Sequence, residues 1–189
     1  MGDNNLKAEP TTIPDVVRIT PTKHVDHRGY FSEVFKDAWF RANICDTIFV
    51  QDNQSGSASM GTIRGLHFQI SPFEQGKLVR CTAGAIFDVA VDIRRSSPTF
   101  GQWVSAELSA QAGNQLWIPP GFAHGFATVL PDTVVHYKVT APYSPQHDRG
   151  VRWNDPELGI PWPVGFMEPI LSEKDQSHPF LKELSGAFL

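Results

Sequence analysis

The chain has 189 residues, the size of a single domain. Its 16 Lys and Arg against 20 Asp and Glu leave a formal charge of −4. That excludes a nucleic-acid binder held by counterion release, yet leaves room for a local basic pocket. Hydrophobic residues make up 41% and aromatics 11%, enough for a core, and no apolar run approaches the roughly 20 residues of a membrane helix.

Residues 1–13 are polar and read as a flexible segment ahead of one domain spanning 14–189. They hold no apolar stretch of the kind a secretory signal needs. Cys45 and Cys81 are too few for a disulfide framework, so two reduced thiols in a cytoplasmic protein are expected. Next come short runs rich in Val, Ile, Phe and Tyr, broken by Gly, Pro, Asn or Ser. They predict strands over Val16–Ile19, Tyr30–Phe35, Thr47–Asn53, Thr62–Gln69, Lys77–Thr82 and Ala85–Arg94, then Trp103–Ser109, Gln115–Ile118, Phe122–Val129 and Val134–Thr140. The clearest is Phe87-Asp-Val-Ala-Val-Asp-Ile93, with period two: large apolar side chains on one face, Asp88 and Asp92 on the other. The carboxylate face meets either solvent or the inside of a polar pocket. Helix is scarce. Lys36–Asn43 can form two turns capped by Asp37, and a second piece lies near Ser172–Gln176. The five prolines between Pro156 and Pro179 make residues 154–180 a tail that hugs the surface. Many short strands and few helices predict an all-β sandwich or jelly-roll barrel, with short peripheral helices and a ligand site in its mouth.

Gly113, Pro119, Gly121 and His124 stand at the spacing of the second motif of cupin barrels, where a Pro-Gly hairpin turns and the next strand points its histidine inward. The first motif of metal-binding cupins would need a histidine where His67-Phe-Gln69 has Gln69. Two imidazoles and an amide are a poor divalent site, so a barrel without a metal or other cofactor is expected.

A longer ordered set follows the same path. It comprises Asp26-His-Arg28-Gly-Tyr-Phe-Ser-Glu33, Gln51-Asp-Asn53, Arg64-Gly-Leu-His67-Phe-Gln69, Gly76-Lys77-Leu-Val-Arg80, Phe87-Asp88 to Arg94, Pro119 to Phe126, Tyr137-Lys138, Trp153 to Pro156 and Leu171-Ser-Glu-Lys174-Asp175. Together these resemble the dTDP-4-dehydrorhamnose 3,5-epimerase family, from about residue 15 to about residue 176. The resemblance implies a metal-free, cupin-like homodimer acting on a nucleotide-linked 4-keto-6-deoxy sugar, with no nucleic-acid or membrane partner. Alternatives left open are a relative inverting only C3 or C5, a metal-dependent cupin oxygenase, and a sugar-nucleotide binding module.

A 4-ketone acidifies the hydrogens on C3 and C5. Epimerisation there needs a base on one face, an acid on the other and a cation or donor at the enolate oxygen. The resemblance makes His67 the base, Asp175 its orienting carboxylate, Tyr137 the acid and Lys77 the cation. It assigns Arg28, Arg64 and Lys174 to the diphosphate end, where forked guanidinium donors suit phosphate. It places Glu33, Gln51 and Asn53 around the nucleobase, adds Asp148 where the family usually has Glu, and sets His124 as a second supporting histidine that Asp88 could pair. Strict alternation puts Arg64 and His67 on opposite faces. Gly65 between them predicts a bulge or kink that restores a shared face.

Overall fold

The computed structural model describes residues 5–165 and 168–184. These residues form strands β1 Leu6–Pro10, β2 Val17–Pro21, β3 His24–Asp26, β4 Gly29–Phe31, β5 Gln51–Ser57, β6 Ile63–Gln69, β7 Lys77–Ala83, β8 Ala85–Asp92, β9 Trp103–Ser109, β10 Gln115–Ile118, β11 Phe122–Thr128, β12 Thr133–Val139 and β13 Asp148–Gly150. Helices α1 Asp37–Asn43 and α2 Glu173–Ser177 and a 3-10 turn at Leu181–Glu183 complete them.

One sheet runs β1-β2-β10-β7-β12-β5 and the other β13-β6-β11-β8-β9, while β3 and β4 form a separate ribbon. Neighbouring strands are antiparallel, and the chain crosses repeatedly between the sheets. This is the expected all-β, cupin-like jelly roll. Its inner core takes Val79 and Cys81 from β7, Ile86 and Ala90 from β8, Leu116 and Ile118 from β10, and Phe122 and Phe126 from β11.

The period-two pattern of β8 resolves into two buried faces. Ile86, Asp88 and Ala90 look into the barrel, whereas Phe87, Val89 and Val91 pack outward under Leu158, Trp162 and Leu181 of the C-terminal tail. The tail therefore acts as a hydrophobic cover for one sheet. Ile170 bridges to Thr62, and Asp155 accepts the Leu181 backbone N–H at 2.7 Å. The inward carboxylates are both fully buried. Burial works against the Asp92 charge, but hydrogen bonds from Arg94, Ser97 and Thr99 outweigh it and bring its pKa to about 2.

Several expectations need correction. Leu6–Pro10, expected to be flexible, forms β1 and pairs residue for residue with β2, so sheet hydrogen bonds overcome its polar composition. Residues 1–4, 166–167 and 185–189 lie outside the described residues. The strand expected at Tyr30–Phe35 ends at Phe31, because Phe35 turns inward to stack with Phe40 and Phe49. The Thr47–Asn53 run shifts to Gln51–Ser57: β12 pairs with this polar stretch along its whole length, while Ile48 and Val50 stay exposed. Helix α1 is capped at Lys36 without a side-chain bond, and Asp37 sits in its first turn. Strand β13 carries no apolar pattern and exists through its pairing with β6.

Candidate active site

Strand β6 presents the first half of the site. Its partner β11 pairs His124 with His67 and Phe126 with Arg64, so β6 holds one extra residue in that interval. The bulge falls where expected: Gly65 has φ +125°, and its Cα side is so close to β11 that a Cβ would meet Gly125 Cα at 2.6 Å. Only glycine fits there. The extra residue returns Arg64 and His67 to one cavity.

That cavity, about 380 Å³, is lined by Arg64, His67, Lys77, His124, Phe126, Tyr137, Ser172, Lys174 and Asp175, among others. A second hollow of about 220 Å³ shares His67, Lys77 and Tyr137 and adds Gln51, Asn53, Tyr143 and Asp148. Lys77 and Tyr137 come from the six-stranded sheet, His67 and His124 from the five-stranded one. Base and acid candidates thus stand on opposing walls.

His67 Nε2 lies 2.5 Å from Asp175 Oδ1. Burial penalises the Asp175 charge, but the hydrogen bond and charge of His67 more than offset it and hold its pKa below the ordinary carboxylate value. The carboxylate fixes the tautomer with the proton on Nε2, leaving Nδ1 as the basic nitrogen. Asp175 gets there through α2: Ser172 caps the helix by accepting the Asp175 backbone N–H at 3.1 Å. The Ser172-to-Asp175 helix-start pattern and the pairing with His67 are therefore both realised by one residue, main chain for the cap and side chain for His67.

Lys77 is 7% exposed, and burial pulls its pKa down to about 8, with Asp148 and Asp88 opposing. Its Nζ reaches the His67 carbonyl at 3.3 Å. Tyr137 is half-buried, and burial raises its hydroxyl above the ordinary phenol range, keeping the proton available for donation. His124 Nε2 pairs with Asp88 Oδ1 at 2.7 Å, as anticipated, and burial lowers its pKa against the opposing charge of Asp88, which favours the neutral ring. Gln69, the residue that breaks the cupin metal motif, gives its amide to the carbonyls of Phe73 and Pro142 and accepts from Ser144 N–H, bracing a loop.

The expected binding residues converge except for two. Gln51 and Asn53 bond each other at 2.7 Å in the second hollow. Lys174 pairs with Asp148, which also accepts the Tyr143 hydroxyl at 2.9 Å. Arg28 and Glu33 lie outside the cavity of their own chain. Arg28 sits in the β3–β4 turn, exposed and paired with Asp26, and Glu33 accepts from Asn5. Sequence reasoning missed Tyr143 and His178. Tyr143 lies in an irregular loop with no periodic signal. His178 follows α2, and its ring stands 5.5 Å from that of His67.

The family profile of dTDP-4-dehydrorhamnose 3,5-epimerase matches residues 10–183. The chain belongs to that family. A relative from Sinorhizobium fredii, named dTDP-4-dehydrorhamnose 3,5-epimerase, is 62% identical over 177 residues, covering 94% of this chain and 90% of its own. The solved epimerase from Legionella pneumophila, in complex with dTDP-4-keto-L-rhamnose, superposes with a TM-score of 0.91 at 42% identity and 95% coverage of both chains. That from Bacillus anthracis, with TDP and pyrophosphate bound, gives 0.89 at 49% identity, covering 93% of this chain and 99% of its own. The chain is thus an isomerase of the epimerase type.

Proposed function

We propose that this epimerase inverts C3 and C5 of dTDP-4-dehydro-6-deoxy-D-glucose, giving dTDP-4-dehydro-L-rhamnose by proton transfer through an enolate. The observation that carries the reading is the His67–Asp175 pair at 2.5 Å, on the wall opposite Tyr137, with the buried Lys77 beside it. His67 removes the proton next to the ketone and becomes an imidazolium that Asp175 stabilises. Lys77 holds the enolate oxygen as its charge develops. Tyr137 delivers a proton to the opposite face. No electrons leave the sugar, and between inversions solvent takes the extra proton from His67 and returns one to Tyr137. The other expected binding residues, Arg64, Gln51, Asn53, His124, Asp148 and Lys174, ring this centre and serve the nucleotide and sugar hydroxyls.

Arg28 and Glu33 enter through a second copy of the chain. The β3–β4 ribbon is a sheet separate from the other two, and among the described residues it leaves Val25, Tyr30 and Phe31 largely exposed, an apolar surface that Lys23 covers only over the Tyr30 ring. In a homodimer it reaches the partner's barrel and supplies Arg28 to the diphosphate. The protein works in the cytoplasm; among the described residues no helix is long and apolar enough to cross a membrane.

The deciding experiment is proton NMR in deuterated water with dTDP-4-keto-6-deoxyglucose. Deuterium at both C3 and C5 with formation of the L-sugar is expected. Exchange at one carbon alone gives a single-position epimerase, and tight binding with no exchange refutes the catalytic reading.

A further inference from the structure

His178 takes no part in the chemistry above, yet it is built into its centre. Its side chain is 9% exposed, and its Nε2 is buried without a hydrogen-bond partner, 3.8 Å from Asp175 Oδ1. A buried imidazole nitrogen with no partner loses solvation without compensation. Space for the ring is made by Gly150, which pairs with His67 across β13 and β6: a Cβ on Gly150 would come 2.4 Å from His178 Nε2. Arg152 fixes the backbone, its Nε donating to the His178 carbonyl at 3.0 Å.

The result is a group of three potential ligands. One ligand atom each from His67, Asp175 and His178 lies within 4.8 Å of the others. We propose that these three residues form a binding site for a divalent transition ion of the zinc class, and that its occupation switches the epimerase off. Two imidazoles and a carboxylate with an open fourth position are a donor set that suits zinc. At bonds of about 2.0–2.1 Å, tetrahedral ligands stand roughly 3.3 Å apart. The 2.5 Å between His67 Nε2 and Asp175 Oδ1 must open and the 3.8 Å between His178 Nε2 and Asp175 Oδ1 must close, each by less than an ångström, and the third pair, His67 to His178, starts within 4.8 Å and closes by up to about 1.5 Å as the rings rotate. His67 is partly exposed to the cavity, which gives the ion an entry and leaves a coordination position facing it.

Inhibition follows from the tautomer. In the metal-free enzyme Asp175 holds the proton on His67 Nε2, so Nδ1 is basic. A metal on Nε2 displaces that proton, and the neutral ring carries its hydrogen on Nδ1 instead. The proton balance is unchanged, but the lone pair that takes the substrate proton is gone. Inhibition rests on the proposed role of His67; binding of the ion does not.

The test uses untagged, chelator-treated enzyme. Calorimetry with Zn²⁺ and visible absorption with Co²⁺ read binding, and deuterium exchange into the 4-keto sugar nucleotide reads activity. The expected result is one ion per chain, a tetrahedral Co²⁺ spectrum, and loss of exchange that a chelator reverses. His178→Leu should weaken binding by more than the roughly 10–100-fold typical of losing an outer partner of a metal ligand. Gly150→Ala, which keeps the histidine and displaces its ring, should weaken it too. Absence of binding, or binding of equal strength in folded His178→Leu and Gly150→Ala proteins, overturns the site. Binding that leaves exchange untouched overturns the inhibition. Exchange by the metal-free enzyme, measured in the same series, shows separately whether the proposed function holds.

Discussion

Lys77→Met should make the protein more stable while nearly abolishing catalysis. The lysine is buried to 7% exposure, and burial, the dominant cause, lowers its pKa from 10.5 to about 8. That drop corresponds to about 3 kcal/mol of penalty for keeping the ammonium charged inside the fold. Methionine has a similar length and no charge, so near neutral pH the variant escapes most of this penalty. The pH dependence fixes the sign. Below about pH 8 the lysine is charged in both the folded and the unfolded chain, and the full penalty is present. Between about 8 and 10.5 the unfolded chain binds one more proton than the folded one, so wild-type stability rises with pH. The advantage of Lys77→Met should therefore reach up to about 3 kcal/mol near neutrality and shrink as pH climbs toward 10.5. Urea unfolding at several pH values measures it, with unchanged m-values required for a fair comparison. In the same variant the enolate loses its cation, and kcat should fall by about 10²–10³-fold. A variant that is less stable near neutrality, or whose stability difference stays flat with pH, would refute the reasoning that a desolvated charge is held there for catalysis.

The same lysine should set the alkaline limb of kcat/KM in the free enzyme, with activity falling above about pH 8, and Lys77→Arg should move that limb upward in whatever activity it retains. Tyr137→Phe keeps the ring and removes the acid, so NMR in deuterated water should show exchange persisting at C3 or C5 while inversion drops much further; equal loss of both counts against Tyr137 as the opposite-face acid. Gly65→Ala places a Cβ 2.6 Å from Gly125 Cα and 2.7 Å from the His124 carbonyl at positive φ, and should cost about 2–5 kcal/mol in urea unfolding; an unchanged midpoint would remove the bulge from the account. Mixed dimers of Arg28→Ala and His67→Ala chains should regain activity that neither variant has alone, because one of the two sites then carries both residues. No recovery in verified heterodimers would place Arg28 in its own chain's site or outside catalysis.

Much of the barrel was legible in the residues because alternation is a local property. A strand buried on one or both faces declares itself through side chains two apart, so β7 to β12 appear nearly where the pattern puts them. The Gly65 bulge could be anticipated too, since Arg64 and His67 cannot share a face of a regular strand and glycine alone tolerates the backbone that reunites them. The cap at Ser172 was equally local. Elements that owe their form to a partner were not legible. Strand β1 is polar and is held by β2, β13 has three residues and is held by β6, and β5 takes its register from β12 against its own apolar run.

The site divides along the same line. Residue types matched to enolate chemistry, in family order, already named His67, Lys77, Tyr137 and Asp175. The resemblance had paired Asp175 with His67, but only tertiary structure brings the two together across 108 positions of sequence at 2.5 Å, and makes Lys77 dry enough for its pKa to fall. It also placed Arg28 and Glu33 outside the cavity of their own chain. And it set His178 against the Asp175–His67 pair in the space left by Gly150, where no sequence pattern pointed. Periodicity and capping depend on atoms a few residues apart, and the chain carries them wherever it goes. Distance, desolvation and the partner of a buried nitrogen depend on which distant segments the closed barrel brings together, and they come into being only when it closes.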